Sequence, residues 1–230
     1  MPTINDSEFG EIVIRRSSKA TSVKLRVAPD GRLRISMPTY APIFLAKQLV
    51  KSNRDELRKI LNTEDKKSSY THGMLIGKSH KLSIFQSNSR TKVSKNGLNI
   101  NVILSSEDAI EDPHVVRMIR DESIKALRIE ARSYLPRRLD YIANNHGFRY
   151  TNIRFSHSSG RWGSCNSKGT ISLNIALMKL PFELIDYVLI HELSHTVQMN
   201  HSPEFWEVVE TSDPNYKAHR KLLKTHAPSI

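Results

Sequence analysis

The residues of this chain whose spacing carries the most chemistry are His191-Glu192-Leu193-Ser194-His195. On a helix, residues four apart lie on one face, one turn from each other. Two imidazoles so placed converge on one zinc ion at about 2.0–2.1 Å each. Glu192 projects beside that face, where a carboxylate can take a proton from a zinc-bound water. Catalytic zinc sites commonly use three protein ligands and keep a position open. The expected third ligand is His201, ten residues after His191. A helix continued that far would carry residue 201 about 9 Å past His195 and onto another face. The helix must therefore stop first. Asn200 is suited to a left-handed cap, and Ser202-Pro203 to the N-cap and first position of a new helix. The carboxylate alternatives to His201 are Glu204, Glu207 and Glu210.

Metzincins space their ligands in the same way but carry Gly where this chain has Gln198, so the turn is expected to differ. Upstream, Arg161-Trp162-Gly163-Ser164-Cys165 reads as a strand running near the histidine helix. An edge strand there either binds a substrate backbone by strand addition or simply packs sheet on helix. Arg161 and Trp162 are thus candidate substrate-binding residues. Asn174 either bonds a substrate backbone or satisfies a turn. Tyr216, after the Asp213-Pro214 turn, either points into the cleft or packs on the surface. Arg161, Tyr216, His157 and His219 are candidate donors to the oxyanion that develops on an attacked carbonyl. Cys165 is expected as a small buried residue, since a thiolate would close the open metal position. His72, His80, His114, His146 and His226 lack ligand spacing and are expected at the surface.

The run Asp186–His195, followed by Asn200-His201-Ser202-Pro203-Glu204-Phe205-Trp206, resembles the YgjP-like metallopeptidase family, a relative of the WLM and SprT-type zinc peptidases. The resemblance extends to Arg161–Cys165, Leu173-Asn174, Pro214-x-Tyr216 and the amino-terminal β unit, most of the chain. It implies an intracellular zinc hydrolase fold with His191, His195 and His201 as ligands and Glu192 as catalyst. It implies no particular substrate.

Holding these residues in place requires an α+β fold: an antiparallel β-rich amino-terminal region, then a helical, zincin-like region with a short sheet. Val23, Leu25 and Val27 alternate with polar residues, as do Leu33, Ile35 and Met37, with Pro29-Asp30-Gly31 as the turn. Residues 42–61 have helical spacing through Phe44, Leu45, Leu49, Leu57 and Leu61. Strand pairs are predicted around 74–86, broken at Gly77, and around 90–104, turning at Asn96-Gly97. The acidic stretch 105–112 sets the expected boundary between regions 1–108 and 109–230. A long helix is predicted over 113–145, split or kinked at Pro136 and stopped by Asn144, Asn145 and Gly147. Strands at 150–156 and 160–176 follow, with a turn at 166–169, and then a helix from 181 to 198.

Of the 230 residues, 35 are Lys or Arg and 23 are Asp or Glu, a net charge of +12. Residues 1–100 hold 19 of these cations against 8 acids, so nearly all the surplus lies there. That bias fits either a nucleic-acid partner or a solvated basic surface. The single cysteine excludes an intramolecular disulfide, and the chain shows neither a secretory signal nor a membrane span. A cytoplasmic location without membrane contact is expected. Together these features predict a zinc-dependent hydrolase, foremost a metallopeptidase acting on a peptide or protein through a Glu-activated zinc-bound water. The alternatives are a zinc-dependent nucleotide pyrophosphohydrolase and a nucleic-acid-binding protein with a structural zinc. Glu192 argues against the last, because a structural site needs no carboxylate beside its ligands.

Overall fold

A computed structural model describes residues 2–6, 8–27, 33–58 and 70–230. The chain divides into two compact units, Met1–Ser69 and Tyr70–Ile230, rather than at the expected boundary of 108 and 109. The sheet formed by residues 81–105 belongs to the second unit, because its apolar face packs on the helix that follows it. This redistributes the charge. The first unit carries 14 Lys/Arg against 8 Asp/Glu and the second 21 against 15, so each has a surplus of six.

In the first unit, β1 (Thr3–Asp6), β2 (Gly10–Ser17), β3 (Lys24–Val27) and β4 (Leu33–Pro38) form one sheet in the order β1-β2-β4-β3. The predicted β3–β4 hairpin is present, and its Pro29-Asp30-Gly31 turn lies outside the described residues. Ile12, Ile14, Leu33, Ile35 and Met37 form a buried cluster with Ala46, Val50 and Leu57. Ala46 and Val50 lie on α1 (Ile43–Ser52), whose buried stripe is thus rotated from the predicted one. Phe44 is exposed, and Leu61 lies outside the described residues.

The second unit opens with β5 (Lys81–Ser87), β6 (Lys92–Asn96) and β7 (Asn99–Ser105), ordered β5-β7-β6. The β6–β7 hairpin turns at Asn96-Gly97, where Gly97 takes a φ of +57°. Behind this sheet runs α2 (Pro113–His146), a single helix of 34 residues that Pro136 does not divide. Gly147 ends it in the left-handed conformation. The second sheet, β8 (Asn152–Ser156), β9 (Gly163–Cys165) and β10 (Thr170–Asn174), is ordered β8-β10-β9. After a 3₁₀ turn at Ile175–Lys179 come α3 (Phe182–Ser194), α4 (Pro203–Ser212) and α5 (Tyr216–Leu223). Helix α3 is buried almost all round, as expected of a core helix, and Arg138 of α2 holds its Asp186 through two bonds of 2.8 and 2.7 Å. No helix of the described residues is long and apolar enough to cross a membrane.

The fold is α+β, but its sheets are mixed rather than antiparallel. The pairs β2–β4, β5–β7 and β8–β10 are all parallel. In each case the middle strand in sequence takes the far edge, and the next returns between it and the first. A turn sequence specifies the returning hairpin but not where it inserts, so the parallel neighbour left no local mark.

His80, expected at the surface, is 2% exposed. Its Nδ1 donates to Glu130 of α2 at 2.6 Å, and the same carboxylate accepts the backbone N–H groups of Lys78, Ser79 and His80 at 2.7, 2.8 and 3.1 Å. Gly77 enters this loop at φ +115°, where a Cβ would collide with the carboxylate. Glu130 thus ties the first strands of the unit to its long helix, and Glu130→Ala would leave buried donors unpaired. That variant should lose about 3–5 kcal/mol of stability in urea unfolding, the range for one partner stripped from a buried charged network.

Candidate metal centre

The last turn of α3 presents His191 and His195, with ring centroids 4.9 Å apart. The helix ends there, well short of the predicted residue 198. Thr196 N bonds to Leu193 O and Gln198 N to Ser194 O, tightening the chain out of the helix. Asn200 is not a left-handed cap, since no described non-glycine residue has a positive φ. The tight turn at 195–197 makes the reversal instead. Ser202 and Pro203 do stand at the N-cap and first turn of α4, as expected.

This reversal brings His201 back, with its Nε2 3.1 Å from Nε2 of His191. Two ligands on a tetrahedral zinc lie about 3.3 Å apart when each bond is 2.0–2.1 Å. The ligand atoms of all three histidines fall within 4.8 Å of one another. His195 Nδ1 lies 3.1 Å from Gln198 O, an acceptor that keeps the proton on Nδ1 and leaves Nε2 as a lone-pair donor. Burial, first, and then the neighbouring imidazoles push His191 down to about 3, so this ring is neutral at ordinary pH. Burial lowers His195 as well. Three converging imidazoles, each able to offer a ring nitrogen, fit a divalent zinc-like ion. Glu204, Glu207 and Glu210 are exposed on α4 and stand outside this cluster.

Sequence reasoning missed the ring beneath the cluster. Phe205 is fully buried, with centroids 5.0, 4.5 and 4.8 Å from His191, His195 and His201. Trp206 stacks on His201 at 5.7 Å and 22°, and Tyr216 stacks on Trp206 at 5.5 Å and 16°. Tyr216 is therefore 7% exposed and packs against Trp206 as a buttress. The guanidinium of Arg220 lies over the Trp206 ring at 4.4 Å. The one advance sign of this packing was the pair of aromatics two and three residues after Pro203.

Glu192 is 5% exposed, and its Oε2 accepts no hydrogen bond from the described residues. Burial raises it to about 8, with the charge of Arg161 pulling the other way. Its carboxylate lies against Gly163 of β9, where a Cβ would fall 2.5 Å from Oε1 and 2.7 Å from Cγ. The φ of Gly163 is not positive, so space rather than backbone freedom demands glycine. β9 pairs with β10 alone and leaves its other edge unpaired within the sheet.

The other expected site residues divide. Arg161 is exposed and lies, with half-buried Trp162, just before the strand rather than in it. Asn174 is fully buried; its amide donates to Ser158 O and Arg161 O and accepts from Ala176 N. It anchors the loop that carries Arg161, and both its donors are committed within the chain. Cys165 is half-buried, its thiol raised by burial and then by Glu192, and it stands outside the imidazole cluster. His219 bonds Asp213 at 2.7 Å and packs on Tyr187, which also touches His191. His157 is exposed.

Three outcomes follow from this packing. Gly163→Ala should keep metal content and cut turnover by about 10²-fold, because it displaces the Glu192 carboxylate by an ångström or so. Phe205→Ala should cost about 3–5 kcal/mol in denaturant unfolding and weaken metal binding by competition with a chelator. In metal-free protein, Glu192 holds its proton more tightly folded than unfolded between its ordinary 4.5 and about 8. Stability therefore falls as pH rises through that window. Glu192→Gln should raise the Tm of metal-free protein near the top of the window and leave it unchanged below the bottom; the reverse trend would contradict the burial.

None of the curated proteins matches the chain. Two solved structures resemble part of it: the metallopeptidase zymogen abylysin of Pyrococcus abyssi and the metallopeptidase zymogen jannalysin of Methanocaldococcus jannaschii. The first is 27% identical over 39% of this chain and 92% of that one, with a TM-score of 0.36. The second is 19% identical over 39% and 94%, with a TM-score of 0.35. These likenesses are too partial to bear on function. A family pattern, the YgjP-like metallopeptidase domain, matches residues 21–226, nearly the whole length, and the chain belongs to that family.

Proposed function

We propose that the chain is a zinc metallopeptidase in which His191, His195 and His201 hold the ion and Glu192 is the general base. The observation that carries this reading is the position of the Glu192 carboxylate, buried beside the imidazole cluster and pressed on the bare Cα of Gly163 at a sheet edge. His191, His195 and His201 would hold the ion, which when bound would supply Lewis acidity to the attacked carbonyl and to water. Glu192 accepts the proton of the attacking water as its oxygen adds to the peptide carbonyl carbon. The same carboxyl then gives the proton to the leaving amine as the C–N bond breaks. The unpaired edge of β9 offers backbone groups to an extended substrate by strand addition, setting its carbonyl beside Glu192. The charge of Arg161 opposes part of the effect of burial on Glu192. Phe205 closes off the side of the cluster away from solvent. The single cysteine supports a cytoplasmic location.

Nothing in the geometry favours a phosphoanhydride as the substrate, and the family is one of peptidases. The test pits zinc-loaded protein against unfolded proteins, peptides and nucleoside triphosphates, with Glu192→Gln as control. The wild type should cleave peptide bonds. Glu192→Gln should retain zinc and lose about 10²–10⁴ in turnover. Peptide cleavage undiminished in Glu192→Gln would contradict the mechanism. Triphosphate hydrolysis without peptide products would replace the reading with the pyrophosphohydrolase.

A further inference from the structure

The sheet of the first unit has two unlike faces. One turns Ile12, Ile14, Leu33 and Ile35 to the buried cluster shared with α1. The other is exposed, and the register sets its rows. Arg34 of β4 lies between Val13 of β2 and Arg26 of β3. In the next row Ser36 of β4 lies between Arg15 of β2 and Lys24 of β3. Arg15, Lys24, Arg26 and Arg34 are all exposed. With strands about 4.8 Å apart and same-face residues about 6.8 Å apart along a strand, the four cations share a patch of roughly 10 by 7 Å. Like charges directly opposite each other, as Arg26 and Arg34 are, cost sheet stability. An anion lying over the patch would offset that cost.

Among the described residues, the acids of this unit are not paired with Arg15, Lys24 or Arg26. Arg54 pairs with Asp6 at 2.7 Å and with Glu8 at 3.1 Å, and Arg58 pairs with Glu8 and Asp55. Glu11 shares the basic face but sits in a further row, opposite Asn5 of β1. Arg34 has an interaction within the chain, whereas Arg15, Lys24 and Arg26 have no ion pair among the described residues. Thr3, Val13 and Ser36 occupy the adjoining positions, so this part of the face offers no aromatic ring to stack a base and no large apolar side chain to enter a bilayer.

We propose that this face binds the phosphate backbone of duplex nucleic acid without regard to sequence. Duplex DNA presents one negative charge per about 1.7 Å of axis, dense enough to serve cations set this closely. Contacts confined to phosphates position a protein but read no bases. The proposal stands apart from the chemistry at Glu192.

The experiment titrates the full chain with labelled duplex DNA of mixed sequence at several salt concentrations. The partner variant carries Arg15→Glu, Lys24→Glu and Arg26→Glu, and a charge-matched control carries Lys81→Glu, Lys92→Glu and Lys168→Glu on the second unit. A neutral triple to Gln serves if the reversed one fails to fold, with thermal melting as the check. Wild type and control should bind with steep salt dependence. The face variant should bind at least about tenfold more weakly, with a log–log salt slope shallower by about 2–3. Equal binding by wild type and face variant overturns the proposal. So does an equal loss in the control, which would mean that net charge alone is felt. Binding of phosphatidylserine vesicles with none of duplex also overturns it.

Discussion

Where α3 stops decides whether this chain has a site at all. His191 and His195 share a face on any helix, but a third imidazole can join them only if the chain reverses within a turn of His195. The reversal is built from the helix end itself, through the bonds of Thr196 and Gln198 to the last-turn carbonyls. It also sets Gln198 O against His195 Nδ1, so one residue both turns the chain and fixes a ring. Pro203 then starts α4 where Phe205 can slide beneath all three imidazoles. The stop, the return and the floor are one structural event spread over eleven residues, His195 to Phe205.

The burial that organises the cluster is unfavourable to its chemistry in isolation. A carboxylate and an imidazole held away from water each disfavour their charged forms. For His191 and His195 this suits ligation, because an imidazole must be neutral to bind a metal. For Glu192 it is a tension that Arg161 opposes only in part, while the bare Cα of Gly163 gives its side chain room. A site of this kind lowers the stability of the metal-free fold and regains it on binding an ion. The Arg138–Asp186 clamp and the Glu130 nest lie along the helices that bear that load.

Much of the site was legible in the sequence because its rules are local. Helical spacing placed His191 and His195 together, and Ser202-Pro203 announced a new helix that required a break before it. The agent of the break was misread as Asn200, since a capping residue is visible in sequence while a tightened last turn is not. Gly163 was recognised only as part of a motif; its reason is the room a distant glutamate needs, which emerges only in three dimensions. Asn174 and His80 show the same limit, as each is bonded to a segment far from it in sequence or to backbone atoms alone. The three parallel strand pairs were invisible because turns specify hairpins, not insertions. The charge asymmetry was real along the chain, yet it did not follow the compact units. What remained significant was the register of β2, β4 and β3, which gathers four dispersed cations onto one face.

The convergence of three imidazoles on one ion is the claim from which the rest follows, and zinc K-edge X-ray absorption of the zinc-loaded chain tests it most directly. The account predicts a shell of nitrogen and oxygen at about 2.0–2.1 Å with the outer-shell scattering of three imidazoles and no sulfur. A sulfur shell near 2.3 Å, or scattering from only two imidazoles, would contradict it.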